Sequence, residues 1–207
     1  MPFGVFLKRK FKVILFDLGG VVVDVNNDHY IDYISRVSGR SWHKAKETVY
    51  RYTRLMEKDG IGMRDFNRGV AMSLGMNRKD VKWLEFYKKH VGIIDNTVAL
   101  IRKLKGKYRI ACLSNIDHVK YRYTRKILDF SIFNRRFTSC NMRMAKPERR
   151  IFRTVVKKLN VKPEEILFID NDIRNVREAR KVGICSIHYI GFRRLVKKLN
   201  GLLSDGV

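Results

Sequence analysis

Glutamate, cysteine, proline and long apolar runs are all scarce in this chain, and each shortage excludes something. No apolar stretch approaches the ~18–20 residues that a membrane-spanning helix needs, so no membrane role is expected. Val13-Ile14-Leu15-Phe16 is too short for a secretory h-region, and it ends at Asp17 with no small-residue cleavage site. The three cysteines, Cys112, Cys140 and Cys185, are odd in number and far apart. They offer neither a disulfide framework nor a zinc site, and they suit a reducing, cytoplasmic setting. His29, His43, His90, His118 and His188 likewise lack metal-ligand spacing. There are no internal repeats, low-complexity tracts or Pro-rich linkers.

Basic residues are what the chain has in excess. Lys and Arg number 45 against 20 Asp and Glu, a formal net charge of +25. Thermal ion-pair networks enrich Lys and Glu together, yet only seven glutamates occur. Ion pairing therefore does not account for the excess. Three readings remain: affinity for polyanions such as RNA, a basic surface general to the lineage, or steering of small anionic substrates. Segment 27–92 carries 14 basic and 8 acidic residues, so most of the excess lies outside it. Arg149, Arg153 and Lys157 fall on one helical face with Arg150 alongside, and Arg193, Arg194, Lys197 and Lys198 decorate the last helix. Aromatic interleaving for base stacking is not evident on these faces; Tyr121, Tyr123 and Phe130 come closest and read as helix packing. Hydrophobic residues at 45% and charged residues at 31% still describe a globular chain.

The periodicity changes twice along the chain. Lys12 to Phe16 is an apolar, β-branched run that reads as a buried strand, and Val21 to Asp24 continues extended. From Asn27 to His90 the periods are helical, with Tyr30, Tyr33, Ile34 and Val37 and then Val49, Tyr52, Leu55 and Met56 at three- and four-residue steps. The aromatics Tyr30, Tyr33, Tyr50, Tyr52, Phe66 and Phe86 are expected mostly to fill the core of that block, with one or two lining a substrate pocket. Strand and helix alternate thereafter. Strands are predicted over Tyr108–Leu113, Arg136–Cys140, Glu165–Ile169 and Ile184–Tyr189, which would bury all three cysteines in strands. Helices are predicted over Thr97–Leu104, Val119–Leu128, Ile151–Leu159, Val176–Val182 and Phe192–Leu203. The expected fold is α/β, a three-layer Rossmann-like core with a mostly parallel sheet. A helical block at 27–92 would be inserted between core segments 1–26 and 93–207.

Ligands of open parallel sheets bind outside the carboxyl ends of the strands. Three predicted strands end there in polar groups: Asp17, Ser114-Asn115 and Asp170-Asn171. Lys146 joins them from the loop Ala145-Lys146-Pro147-Glu148. A nucleophilic carboxylate, a hydroxyl, a cation and a carboxyl/amide pair suit phosphoryl transfer through an aspartyl-phosphate with a divalent metal.

In that order these segments resemble the haloacid dehalogenase-like hydrolases over residues 11 to 203. Phe16-Asp17-Leu18-Gly19-Gly20-Val21 is similar to the family's first motif and Leu113-Ser114-Asn115 to its second. Ser139-Cys140 through Lys146-Pro147-Glu148 to Ile151-Phe152 resembles the third. Phe168-Ile169-Asp170-Asn171 through Asn175-Val176, Ala179 and Gly183-Ile184 resembles the fourth. Gly60 to Phe66 matches a segment of the family's small helical cap. The resemblance implies Asp17 as nucleophile, Ser114 and the Asn115 N–H holding the transferring group, and Lys146 neutralising charge. Gly19 and Gly20 would complete the substrate-binding loop. The implied cofactor is Mg²⁺, held by Asp17, the Gly19 carbonyl, Asp170 and Asn171.

Two positions depart from the usual phosphatase pattern. Gly19 stands where most of these phosphatases carry the Asp that protonates the leaving oxygen, leaving Asp24, Asp172 and His118 to be weighed for that role. Asn171 stands where a second carboxylate is usual. The expected function is a Mg²⁺-dependent phosphatase acting on a small phosphorylated metabolite. The alternatives are a metal-independent 2-haloacid dehalogenase, which needs no acid for a leaving halide, and a degenerate fold that binds RNA or another polyanion. The sequence is silent on oligomeric state.

Overall fold

The structure, a computed structural model, describes residues 11–203. The described chain starts into β1 (Val13–Phe16), turns, and forms the short β2 (Val23–Asp24). Four helices follow: α1 (Asp28–Ser38), α2 (Trp42–Glu57), α3 (Met63–Leu74) and α4 (Trp83–His90). β3 (Gly92–Ile93) then pairs antiparallel with β2, so one two-stranded stem carries both connections to the helical block. Beyond it come α5 (Asp95–Lys105), β4 (Arg109–Ser114), α6 (His118–Ile127), β5 (Arg135–Thr138) and the short α7 (Ser139–Met142). The chain continues through α8 (Arg149–Leu159), β6 (Ile166–Asp170), α9 (Ile173–Lys181), β7 (Cys185–His188) and α10 (Phe192–Leu202). No described helix is long and apolar enough to cross a membrane.

The main sheet is parallel, in the order β5-β4-β1-β6-β7. Its central strand shows why a continuous apolar run belongs there. Side chains alternate between the faces of a strand, so Ile14 and Phe16 enter one core cluster while Val13 and Leu15 enter the other. The first face is covered by α5 and α10 through Ile101, Leu104, Leu195 and Leu199; the second by α8 and α9 through Ile151, Phe152, Val155 and Ala179. Each fully buried side chain of this kind contributes roughly 1.5–3 kcal/mol, and all four β1 side chains are sealed from solvent. The layer order is helix, sheet, helix, as the alternation implies.

The helical block has a separate core of Tyr30, Ile31, Ile34, Val49, Phe66, Val70, Leu74 and Trp83. Tyr30 meets Trp83 edge-on at 4.6 Å between ring centroids. Tyr50 departs from expectation, lying exposed on the outer face of α2 rather than in this core.

Three local expectations are corrected. Val21 and Val22 do not extend β1; the N–H groups of Val21, Val22 and Val23 fold back onto the Leu18 carbonyl, making a tight turn. The strand expected over Arg136–Cys140 stops at Thr138, because its last ladder partner, Ser114, ends β4. Ser139 and Cys140 therefore open α7, where the Ser139 hydroxyl accepts from the Ile116 N–H at 3.0 Å. Cys185 lies in β7 as expected but is only half-buried.

Candidate active site

Register brings the polar strand ends together. Phe16 pairs with Cys112 on one side and with Ile169 on the other. Asp17 and Asp170 are thus the next residues beyond a shared rung, and Ser114 lies just past the third strand's rung. Each of the three is buried: Asp17 is 7% exposed, Ser114 3% and Asp170 0%.

Lys146 closes the cluster. Its Nζ lies 2.8 Å from Asp17 Oδ1 and 2.7 Å from Asp170 Oδ2. The loop that delivers it is clasped by Asn115, whose side-chain NH₂ donates to the Lys146 carbonyl while its Oδ1 accepts from the Lys146 N–H, both at 2.9 Å. Asn115 therefore spends its side chain on positioning the cation, which leaves its backbone to face a ligand. Asp170 is fixed by the Asp172 N–H at 2.7 Å and by the Asn175 amide at 3.1 and 3.0 Å. Asn175 is buried, and its part in aiming Asp170 is not visible in the sequence.

The electrostatics follow from burial. Desolvation pushes the Asp17 carboxyl up from 3.8 to about 7, against the pull of Lys146 and with a further push from Asp170. Lys146 is raised, because the attraction of its two carboxylates outweighs the desolvation of its ammonium. One cation between two carboxylates leaves the cluster with an excess of negative charge, and a second cation beside it would relieve that excess.

The loop after Asp17 is shaped by its two glycines in different ways. Gly20 has φ +73°, and a Cβ there would sit 2.2 Å from the Asn171 amide nitrogen. The backbone at 20 and the side chain of Asn171 are thus in close approach across the strand ends. Gly19 has nothing within 4 Å of a built Cβ, so its missing side chain leaves open space. The donors that Lys146 brings together here are the two carboxylates of Asp17 and Asp170, both oxygen ligands. Mg²⁺ is commonly held by one or two carboxylates together with phosphate and water oxygens, so these residues fit it. Among the described residues no three His, Cys, Asp or Glu side chains converge as a metal-holding group.

The residues weighed for the proton-donor role are all otherwise engaged or remote. Asp24 is exposed on β2. Asp172 caps α9 and holds the Arg174 guanidinium at 2.7 Å. His118 Nε2 lies 3.2 Å from Asp59 Oδ1, in the seam between helical block and core. That seam also contains Arg143 on Asp59 at 3.2 Å and Lys58 on Glu148. A buried lysine adds to it: Lys120 Nζ is 3.4 Å from Asp117 Oδ2 and lies 4.8 Å from the Trp83 ring centroid. The basic stripe Arg149, Arg153 and Lys157 is exposed on α8, with Arg149 bound to Glu178 at 2.8 Å.

Comparison with known proteins bears on the family and the fold. The family model of the haloacid dehalogenase-like hydrolases matches residues 11–183. Drimenol cyclase from Aspergillus calidoustus is 30% identical over 137 residues, 66% of this chain; the match spans only 24% of that protein's length. A sesquiterpene phosphatase from Aspergillus oryzae is 22% identical over 189 residues, covering 86% of this chain and 89% of the phosphatase. Among solved structures, a HAD family enzyme from Bacteroides thetaiotaomicron superposes with a TM-score of 0.74 at 25% identity, covering 86% of this chain and 93% of its own. The same enzyme has been crystallised with magnesium and inorganic phosphate; that complex superposes at 0.68 with 23% identity, over 86% of this chain and 93% of its own.

Proposed function

This chain belongs to the haloacid dehalogenase-like hydrolases, and on that premise we propose that it is a Mg²⁺-dependent phosphatase of small phosphate esters. The observation that carries the reading is Lys146, buried between Asp17 and Asp170 at 2.8 and 2.7 Å. A cation so placed opposes the rise that burial imposes on the pKa of the carboxylate nucleophile and receives the charge of an incoming phosphoryl group. Segment 27–92 serves as the cap and segments 11–26 and 93–203 as the core.

Asp17 supplies the attacking oxygen. Its Oδ1 accepts from the Leu18 N–H at 2.7 Å and from Lys146, which orients Oδ2 as the free nucleophile. Ser114 and the Asn115 N–H hold the phosphoryl oxygens, and Gly19 and Gly20 let the backbone approach them. Mg²⁺ held by Asp17, the Gly19 carbonyl, Asp170 and Asn171 would supply charge stabilisation for the phosphoryl group. The helical cap, joined by its single stem, keeps water from the site while the ester is cleaved.

The dehalogenase alternative is weakened by Asp170: a second buried carboxylate beside the nucleophile suits a site that receives a cation. The sesquiterpene phosphatase relative supports including terpenyl monophosphates in a substrate screen. The test is hydrolysis of p-nitrophenyl phosphate with and without Mg²⁺ by wild type and Asp17→Asn. Turnover that requires Mg²⁺ and falls at least ~10⁴-fold in the variant is expected, in line with losses on removing a nucleophile. Activity that survives the substitution, or halide release from 2-haloacids without metal, would overturn the reading.

A further inference from the structure

We infer that Glu57, reaching from the cap at the end of α2, protonates the leaving oxygen in place of the side chain that Gly19 lacks. The inference rests on the phosphatase reading and goes beyond it, because that reading leaves the acid unassigned.

The placement comes from the cap–core seam. Glu57 is the last residue of α2, and the two residues after it both cross to the core. Lys58 binds Glu148, two residues beyond Lys146, and Asp59 binds His118, four residues beyond Ser114, as well as Arg143. Glu57 therefore leaves α2 where the helical block is tied to the core beside Lys146 and Ser114. It is partly buried, and the charges of Lys120, Asp117, Lys146 and Arg54 act on it. Lys146 is the cation of the site itself, so Glu57 lies within electrostatic range of the reacting centre.

The other acids around the cleft are occupied. Asp59 holds two bases, Glu148 holds Lys58 and Arg150, and Asp172 holds Arg174. Asp117 caps α6 through Oδ1 and faces Lys120 through Oδ2. Glu57 makes no hydrogen bond or ion pair among the described residues, so its carboxyl is free to meet a ligand. Burial raises its pKa despite three nearby cations, which favours the protonated form a donor needs.

The step balances as follows. Asp17 Oδ2 bonds to phosphorus, the ester P–O bond breaks, and the pair left on the alcohol oxygen takes the Glu57 proton. Water then attacks the phosphorus of the aspartyl-phosphate and gives a proton to the Glu57 carboxylate. The bond to Asp17 breaks, releasing phosphate and restoring both carboxyl groups.

Glu57→Gln keeps the shape and removes the acid. Single-turnover release of the leaving group is measured with Mg²⁺ on a primary alkyl phosphate and on p-nitrophenyl phosphate, whose phenolate needs little protonation. The alkyl ester is expected to lose about 10²–10⁴-fold and the p-nitrophenyl ester less than about tenfold. Adding Gly19→Asp, into space that is open in the structure, is expected to recover the alkyl ester in the Glu57→Gln background. Equal losses on both esters, or none on either, would overturn the assignment while leaving the phosphatase reading intact. A wild type inert on both esters would instead remove the reading beneath it.

Discussion

Two ion-pair clusters, one at the strand ends and one in the seam between helical block and core, are built in opposite ways. In the core, Lys146 is sealed between Asp17 and Asp170, with side-chain exposures of 1% for the lysine, 10% for Asp17 and 0% for Asp170. In the seam, Asp59 holds His118 and Arg143 with partner side chains 49% and 77% exposed. Buried charges bring a desolvation cost that their mutual attraction only partly offsets. Exposed pairs cost little to form and contribute little. A fold that accepts the first kind at its strand ends has a use for the charge itself. The exposed pairs between helical block and core can break without losing much stability, whereas Lys120 under Trp83 and the buried Tyr87–Thr124 hydrogen bond at 2.7 Å hold the same seam more firmly. The comparison separates a buried charge cluster at the strand ends from a ring of exposed pairs in the seam.

Removing Lys146 should break the contrast most sharply. Lys146→Met leaves two buried carboxylates facing each other and is expected to cost about 3–5 kcal/mol, the usual range for orphaning one side of a buried pair. The sign of its pH dependence is fixed. Asp17 already titrates near 7 in the fold against 3.8 in its ordinary state. The folded protein therefore holds a proton that the unfolded chain releases, a stabilisation present below about pH 4 and lost as pH rises through about 7. Without Lys146 that carboxyl rises further, so the variant's penalty should be larger at pH 8 than at pH 5. Urea unfolding without Mg²⁺ at the two pH values measures it, and a pH-independent penalty would deny the charge origin.

The two adjacent glycines sharpen the comparison within the site. Gly20→Ala meets both a left-handed backbone and the Asn171 amide, and about 2 kcal/mol of destabilisation is expected. Gly19→Ala meets nothing and should stay within about 0.5 kcal/mol. Paired denaturation curves decide this. Equal costs would mean that the loop does not depend on the close approach at position 20.

The sheet and the strand-end residues were legible because each signal was local. Val13 to Phe16 is apolar at every position, as a strand buried on both faces requires, and a polar residue follows it where ligands bind. Asn115 and Asn175 were legible as parts of the second and fourth motifs, but their aiming contacts were not. Asn175 and Asn115 act through contacts 5 and 31 residues away in sequence, and an isolated Asn carries no sign of either. Lys120 reads as a surface residue on a basic helix, yet it is buried under Trp83 by packing of the cap helix α4 against α6. Glu57 sits in a stretch of ordinary helical periodicity, and only the fold shows that the two residues after it bind the core. The turn at 20–22 was misread as a strand because three valines in a row favour extended backbone, whereas the Leu18 carbonyl captured their N–H groups.

The smallest expected effect lies in the seam. Asp59→Asn removes the charge that holds both His118 and Arg143. Each exposed pair contributes about 0.2–1 kcal/mol, so unfolding free energy should fall by less than about 2 kcal/mol in low salt. Salt screens such pairs over roughly 10 Å at 0.1 M and 3 Å at 1 M. Wild type and variant should therefore converge in 1 M NaCl, whereas the Lys146→Met penalty should persist there because its charges are shielded from solvent ions. The kinetic signature differs as well: loosening the cap should raise KM more than it lowers kcat, since Asp59 touches no reacting group. A seam whose loss proved as large as that of Lys146, and as indifferent to salt, would mean that the cap is locked onto the core. Release of product would then require the breaking of a buried interaction rather than of a screened one.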